Sequence, residues 1–420
     1  MSASRQQAPK GTFDVLPGSE RQRELVFTHG AELLEAAGYG RIETPTFEDT
    51  TLFERGVGES TDIVRKEMFT FTDQGGRSLT LRPEGTAPIC RAYVEHGMHK
   101  LPQPVKLWYQ GPFFRYERPQ EGRFRQFNQI GAEALGTDSP VADAELIVLL
   151  DELLRGLGIE DAELRLSSLG TPESRAAYRE ELRAYLREHE GELSDDVRSR
   201  IDSNPLRAFD ADHEGTRAVM AAAPTMLDSL DEPDAEHLAA VRRMLDAAGV
   251  PYRLDGTLVR GLDYYTRTVF EFTCERLGAQ SGIGGGGRYD GLVEQLGGPA
   301  TPGVGWAAGI ERILLAMREA PPERVPDAFV VAADGDLERA FGVALGLRRA
   351  RLATRTDLAG RAFKGQMKQA DRSGARFAVI LEEGAVQLRD MESGEQRSIA
   401  EDEVAAEITA ALAPQQAPAR

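Results

Sequence analysis

The sequence predicts an α+β fold: an antiparallel sheet flanked by helices, broken by a helical insertion and followed by a small C-terminal α/β domain. Segments rich in strand formers recur at 79–81, 105–109 and 126–133 with no regular helix between them, which favours antiparallel pairing over a βαβ array. The stretch 171–234 is highly charged and poor in the β-branched and aromatic residues that fill sheets, so it reads as helical. Between 318 and 326, Pro321, Pro322 and Pro326 stand among charges as a linker, and helices and strands alternate beyond it. The expected larger domain is 1–325, with its insertion at about 171–240, and the smaller is 326–420.

In chain order, 19–38 reads as a helix that Ser19 caps, with Gln22 completing a capping box and Gly38 in the left-handed position past its end. Leu25, Val26, Leu33 and Ala37 share a face in that reading. A strand over 41–47 follows, with Pro45 at or near its edge. Ser139-Pro140 opens a helix that runs to about Leu157 and closes on Gly158. Sheet character returns over 252–273, then a glycine-rich run leads to a helix from Ile310. A short buried strand at 329–332 opens the last domain.

Composition narrows the function. With 41% apolar and 28% charged residues the chain has the balance of a soluble globular protein. No run approaches the ~18 apolar residues a membrane span needs, and the polar first ten residues do not read as a secretory signal. Two cysteines are too few for a disulfide framework, so a cytosolic compartment is expected. A net charge of -18 argues against nucleic acid as a whole-chain average. Locally, however, Arg348, Arg349, Arg351, Arg355, Arg361, Lys364, Lys368, Arg372 and Arg376 are opposed only by Asp357 and Asp371. Such a face either neutralises phosphates or is simply solvated.

Five segments carry the chemistry. Arg115 to Gln129 forms two strand-like halves around a turn at 120–122; Arg115 offers a planar fork for phosphate or carboxylate, and Phe127 a flat face for a base. Surface ion pairing is the plain alternative for its arginines. In Arg82-Pro83-Glu84-Gly85-Thr86, Pro83 fixes one backbone angle and Gly85 frees another, aiming Glu84 and Thr86 at one point suited to an ammonium group. Tyr264 and Tyr265 bring ring faces and hydroxyls for a flat polar ligand, although adjacent strand residues would point to opposite faces. The glycine-rich run 282–291 lacks the Gly-Lys-Ser/Thr of a phosphate loop and the βαβ setting of a dinucleotide site. Its glycines fit a close backbone approach to a ligand. Finally, Gly309-Ile310-Glu311-Arg312 leads small residues into a helix start where Arg312 favours triphosphate oxygens. His96 and His99 lie three apart without a third ligand, so they read as surface histidines and not as a metal site.

Together these segments resemble class II aminoacyl-tRNA synthetases and, among them, the histidyl-tRNA synthetase family, from Gly11-Thr12-Phe13-Asp14 to the final domain. The 115–133 hairpin is similar to the second signature motif of the class, 309–312 to the third, and the first helix with its Pro45 strand to the first, which in that family lies at the dimer interface. The segments 258–266 and 282–291 are similar to motifs peculiar to the histidine enzymes.

The resemblance implies roles position by position. Arg115, Arg123 and Arg312 would contact ATP, with Phe127 stacked on adenine. Glu84, Thr86 and Gln129 would hold the ammonium group of histidine. Glu133 with Tyr264 or Tyr265, and Tyr289, would read the imidazole. Arg260 would sit between the histidine carboxylate and the α-phosphate, and Gln120 would approach the tRNA acceptor end. ATP with Mg²⁺, L-histidine and tRNA(His) would be the partners, the last domain would bind the anticodon, and the chain would be a homodimer. The competing reading is a catalytically silent histidine-binding paralogue, the regulatory subunit type of ATP phosphoribosyltransferase. That type usually lacks the anticodon domain and degrades the histidine-specific motifs.

Overall fold

The computed structural model describes residues 6–58, 61–258, 261–318, 325–333 and 335–413. Arg260 and the 319–324 part of the expected linker lie outside the described residues. The chain divides into two compact units, Met1–Pro321 and Pro322–Arg420.

In the first unit the strands are β1 (Gly40–Arg41), β2 (Phe47–Asp49), β3 (Phe69–Thr72), β4 (Ser78–Leu81), β5 (Val105–Phe114), β6 (Gln126–Leu135), β7 (Glu163–Ser168), β8 (Tyr252–Leu254), β9 (Thr266–Thr273), β10 (Gly282–Arg288) and β11 (Gly303–Gly309). An eight-stranded sheet has the order β1-β5-β6-β11-β10-β9-β7-β8. Every pairing from β5 through β7 is antiparallel, and only the two outermost pairings are parallel. This is the antiparallel α+β architecture the sequence predicts.

Alternation along β6 sorts its side chains between two layers. Ile130, Ala132 and Ala134 face the main core, where they meet Val26 and Leu34 of the helix Glu20–Ala36, Leu146 and Leu150 of Pro140–Gly156, and Val241 and Leu245 of Glu232–Ala248. Leu135 and Phe127 belong to a second apolar cluster on the other side, with Ile89 and Tyr93 of the helix Thr86–Glu95 and with Tyr264, Tyr265 and Tyr289. The site lies on this second face.

The sequence reading needs several corrections. The strand expected over 41–47 is two strands: β1 ends at Arg41 on the large sheet, and β2 begins at Phe47 in a separate three-stranded sheet with β4 and β3. Pro45, which has no N–H to give a ladder, falls between them. Ser19 does not cap its helix by a side-chain bond, because its backbone is already helical and its hydroxyl donates to the Leu16 carbonyl at 2.9 Å. Leu25 is exposed rather than on the buried face, which carries Arg23, Val26, Gly30 and Leu34. A regular helix, Thr86–Glu95, does stand between the strand-forming segments at 79–81 and 105–109. Its Pro88 lies in the first turn, where the missing N–H costs nothing.

Within 171–231 the helices Pro172–Glu188, Asp195–Arg200 and Glu214–Met220 share a small core of their own around Tyr178, Leu182, Val197 and Met220. The next helix, Glu232–Ala248, spans position 240 and packs into the main core. In the second unit a five-stranded sheet has the order Thr354–Thr356, Ala328–Ala332, Phe377–Glu382, Ala385–Asp390, Gln396–Ile399, parallel across the first three and antiparallel after. Helices Leu337–Arg349, Phe363–Arg372 and Val404–Leu412 accompany it.

Candidate active site

The groups expected from separate motifs converge on one carboxylate. Glu133, on β6, is fully buried. One of its oxygens accepts the Thr86 hydroxyl at 2.8 Å, and the other accepts the Tyr289 hydroxyl at 2.5 Å. Burial pushes its pKa up to about 8 against the pull of those two donors, and the nearby Glu84 carboxylate adds to the rise. Only glycine at 305 leaves room for this carboxylate: a Cβ there would lie 1.6 Å from Glu133 Oε2. The absence of a side chain at Gly305, paired with Glu133 across the β6–β11 ladder, thus gives the acid its space.

Glu84 turns both oxygens to its own chain, accepting the backbone N–H of Thr86 at 2.7 Å and of Ala87 at 3.0 Å. These are the first N–H groups of the helix Thr86–Glu95, which an anion stabilises. Burial raises the Glu84 pKa despite these bonds. The Tyr264 hydroxyl reaches Glu84 Oε2 at 3.5 Å. Tyr264 packs edge-on against both Tyr265, 4.8 Å between ring centroids, and Tyr289, 5.8 Å. Both members of the tyrosine pair are buried in the same cluster. The rule that strand neighbours face opposite ways does not apply, because β9 starts at Thr266 and the pair lies in the turn before it.

Next to this cluster is a cavity of about 600 Å³ with Arg115, Arg123, Arg312, Phe127 and Gln129 in its walls. The backbone of β10 and β11 contributes Gly282, Gly284, Gly285 and Ala307. Arg115 is held by a bond from Nε to the Pro83 carbonyl at 2.9 Å, and its guanidinium lies 5.5 Å from the centre of the Phe127 ring. Arg312 donates to the Gly122 and Gly282 carbonyls, and burial, with Arg123 close by, lowers its pKa. Arg123 pairs with Glu117 at 3.3 Å. Three guanidiniums share this cavity with Glu117, Glu271 and Glu311, of which Glu311 is paired with Arg23 and Glu271 with Arg165, and their planar forks suit phosphate oxygens. The Gln129 side-chain oxygen is buried without a hydrogen-bond partner, an acceptor waiting for a donor. Gln120 is exposed at the tip of the loop joining β5 to β6, where it pairs with Arg123 through the backbone.

The sequence reading assigned two supporting groups no role. Glu311, beside Arg312, is buried; it accepts from Arg23 at 3.0 Å and from the Asn128 backbone at 2.9 Å, tying the third motif to the first helix and to β6. Arg288, fully buried, pairs with Asp143 and with Asp290 at 3.1 Å, which anchors the chain on both sides of Tyr289. Glu311 acts through partners more than a hundred residues away, and Arg288 joins its near neighbour Asp290 to the distant Asp143, a link that local sequence does not signal. The β10 glycines serve strand packing as much as a ligand, since a Cβ at Gly286 would lie 1.9 Å from the Gly305 carbonyl.

His96 and His99 are exposed. Among the described residues no group of three His, Cys, Asp or Glu side chains is placed to hold a metal ion. Among them, too, no helix is long and apolar enough to cross a membrane.

Known proteins match most of this chain. Residues 11–313 fit the family model for histidyl-tRNA synthetase, and residues 327–411 fit an anticodon-binding domain. The chain is 50% identical over 406 residues to the histidine–tRNA ligase of Rubrobacter xylanophilus, covering 93% of this chain and 96% of that one. It is 48% identical to the ligase of Desulforamulus reducens over 93% of this chain and 96% of that one. Among solved structures, the apo histidyl-tRNA synthetase of S. aureus superposes with a TM-score of 0.81 at 36% identity, covering 96% of this chain and all of the other. The chain therefore belongs to the histidyl-tRNA synthetase family.

Proposed function

We propose that the protein is a histidine–tRNA ligase. It joins L-histidine to ATP as histidyl-adenylate with release of diphosphate, then transfers the histidyl group to the 3′-terminal adenosine of tRNA(His). The observation that carries this reading is the buried Glu133, bonded to Thr86 and Tyr289, beside a cavity walled by Arg115, Arg123, Arg312 and Phe127. A carboxylate bracketed by hydroxyls suits imidazole, which donates and accepts hydrogen bonds. Three arginines and an aromatic face suit a nucleoside triphosphate.

The chemistry needs no strong base. The histidine carboxylate is ionised near neutrality and attacks the α-phosphorus directly, the diphosphate leaving with the bonding electron pair. What the chain supplies is alignment and charge. In this reading Arg115, Arg123 and Arg312 hold phosphate oxygens and Phe127 supports the adenine. Gln129 gives its unpartnered oxygen to the ammonium group, with the spare lone pairs of Glu84 and the Thr86 hydroxyl completing its shell. Glu133 reads one imidazole nitrogen while Tyr289 and Tyr264 frame the ring. Arg260 spans the histidine carboxylate and the α-phosphate on the strength of its motif, and Gln120 meets the acceptor end. Mg²⁺ would come as part of the nucleotide substrate and offset phosphate charge, with Glu117, Glu271 and Glu311 the carboxylates in the cavity wall.

The second unit takes the anticodon in this reading. There a concavity of about 390 Å³ gathers Arg348, Arg355, Arg361 and Arg372 with the almost fully exposed Leu358, an apolar face among cations suited to an unstacked base. A homodimer in the cytoplasm completes the proposal; Leu25 and Phe47, exposed apolar groups of the first motif region, and the exposed Phe71 packed against Phe47 support the dimer. No observation favours the silent regulatory paralogue, since the 258–266 motif and the C-terminal unit are both present.

Amino-acid activation and tRNA charging separate by experiment. Reversing two charges, Arg355→Glu with Arg372→Glu, is expected to lower kcat/KM for tRNA(His) about tenfold or more. Histidine-dependent exchange of diphosphate into ATP should stay within about twofold of the parental rate. Equal loss of both activities would contradict the assignment of the second unit.

A further inference from the structure

Glu133 lines neither of the two large cavities of the first unit; Thr86 and Tyr289 bond to its two oxygens, and Tyr264 packs on Tyr289 and reaches Glu84 beside them. Admitting an imidazole therefore depends on where residues 264–267 sit, and three observations show what holds them. At the start of β9, Arg267 has φ +45°, a left-handed backbone that a non-glycine residue adopts only under strain. The pairing of β9 with β10 slips at this point, between Gly287 and Arg288, so the strand carries a bulge beside the pocket. The strained residue is clamped to the root of the inserted helices: its N–H donates to Gly170 at 2.8 Å, and its carbonyl accepts from Leu169 at 2.7 Å. Its side chain meets Asp234 at 2.9 Å. Asp234, fully buried, also accepts from the Thr171 backbone at 2.8 Å and the Ser174 hydroxyl at 2.7 Å, at the entry to the inserted helix Pro172–Glu188.

The second tie is Arg175 on that same helix, whose guanidinium donates to the Tyr265 carbonyl at 2.7 Å. Between this helix and the tyrosine segment lies a cavity of about 820 Å³ whose walls include Arg175, Arg179, Asp263, Tyr264 and Thr266. Across that gap the inserted helix and the segment meet by polar ties instead of a filled apolar interface. A change in the ties thus acts on the segment from the side of the inserted helix, leaving the apolar packing of Tyr264 and Tyr265 on the other side in place.

We propose, resting on the functional reading above, that Arg175 is a positioning residue for the histidine pocket. Together with the Asp234–Arg267 pair it holds the backbone of 265–267 against the inserted helices and so aims Tyr264 and Tyr265. The insertion, which the functional reading leaves without a task, thereby sets the affinity for the amino acid.

The test compares Arg175→Met, which keeps the aliphatic stem and loses every donor, with Arg175→Lys, which keeps one. In diphosphate exchange, Arg175→Met should raise KM for histidine about tenfold, leave KM for ATP within about twofold, and shift Tm little. Arg175→Lys should recover most of the histidine affinity. An unchanged histidine KM in Arg175→Met overturns the proposal. So does a parallel rise in both KM values, or equal impairment of the Lys and Met variants. A parental chain without histidine-dependent exchange overturns the functional reading and this proposal with it, whereas an active parental chain with an unmoved Arg175→Met overturns the proposal alone.

Discussion

Glu133→Gln is expected to cut kcat/KM for histidine in diphosphate exchange by about a hundredfold, because a charge-assisted bond to the substrate becomes a neutral one. KM for ATP should hardly move. The same substitution has a stability signature of known sign. The Glu133 pKa is raised from an ordinary 4.5 to about 8 by burial, so between those values the folded chain binds a proton that the unfolded chain has released. Its contribution is whole below about pH 4.5 and is lost as pH rises through 8. Glutamine carries no charge to bury, so the Tm of Glu133→Gln should gain on the parental protein as pH rises across that window. A difference that shrinks with rising pH would contradict the buried, proton-holding state.

The proton also shapes binding. Free histidine titrates near pH ~6.5, and a complex of imidazole with Glu133 that keeps one proton needs no net exchange between there and about 8. Below that range binding releases a proton; above it, binding must take one up. KM for histidine should therefore trace a trough in the parental protein and lose its alkaline rise in Glu133→Gln.

Arg260→Ala is the second large effect expected. In the reaction proposed, negative charge gathers at the α-phosphorus while a carboxylate approaches it, two groups that repel until a cation bridges them. A guanidinium supplies that charge at the point where it develops, and removing one such group typically costs about 10²–10³-fold in kcat. The variant should fold with a parental Tm, bind ATP, and lose nearly all histidine-dependent exchange. Parental activity in it would remove the mechanism. The placement of Arg260 rests on its motif, Arg260-Gly261-Leu262-Asp263-Tyr264-Tyr265, whose described part supplies Tyr264 beside Glu84.

What was legible in the sequence was local. The strand formers at 105–109 and 126–133 declare a hairpin, and the structure gives two ten-residue strands there in antiparallel register; β5 ends at Phe114 and β6 starts at Gln126, so the strand-like half read from Arg115 belongs to the connecting loop instead. The helix Pro140–Gly156 opens on Ser139, whose hydroxyl accepts the Val141 N–H, with Gly158 at φ +76° just past its end. What escaped depended on partners distant in the chain. Where 41–47 leaves one sheet for another is decided by β5 and β4, neither of which is near in sequence. Leu25 faces outward because Arg23, two residues before it and so nearly opposite around the helix, takes the inward position and pairs with Glu311. The β propensity of the tyrosine pair points to a strand, yet the turn before β9 claims it. In the site, charge and residue type suggested roles, but the order in which groups bond to one another was set by the glycine at 305 and the buried pair at Arg288, which only the folded chain brings together.

The most direct measurement is diphosphate exchange into ATP with the purified chain, run separately with each of the common amino acids. Exchange above background with histidine alone is the predicted result. Exchange driven by another amino acid, or by none, would contradict it.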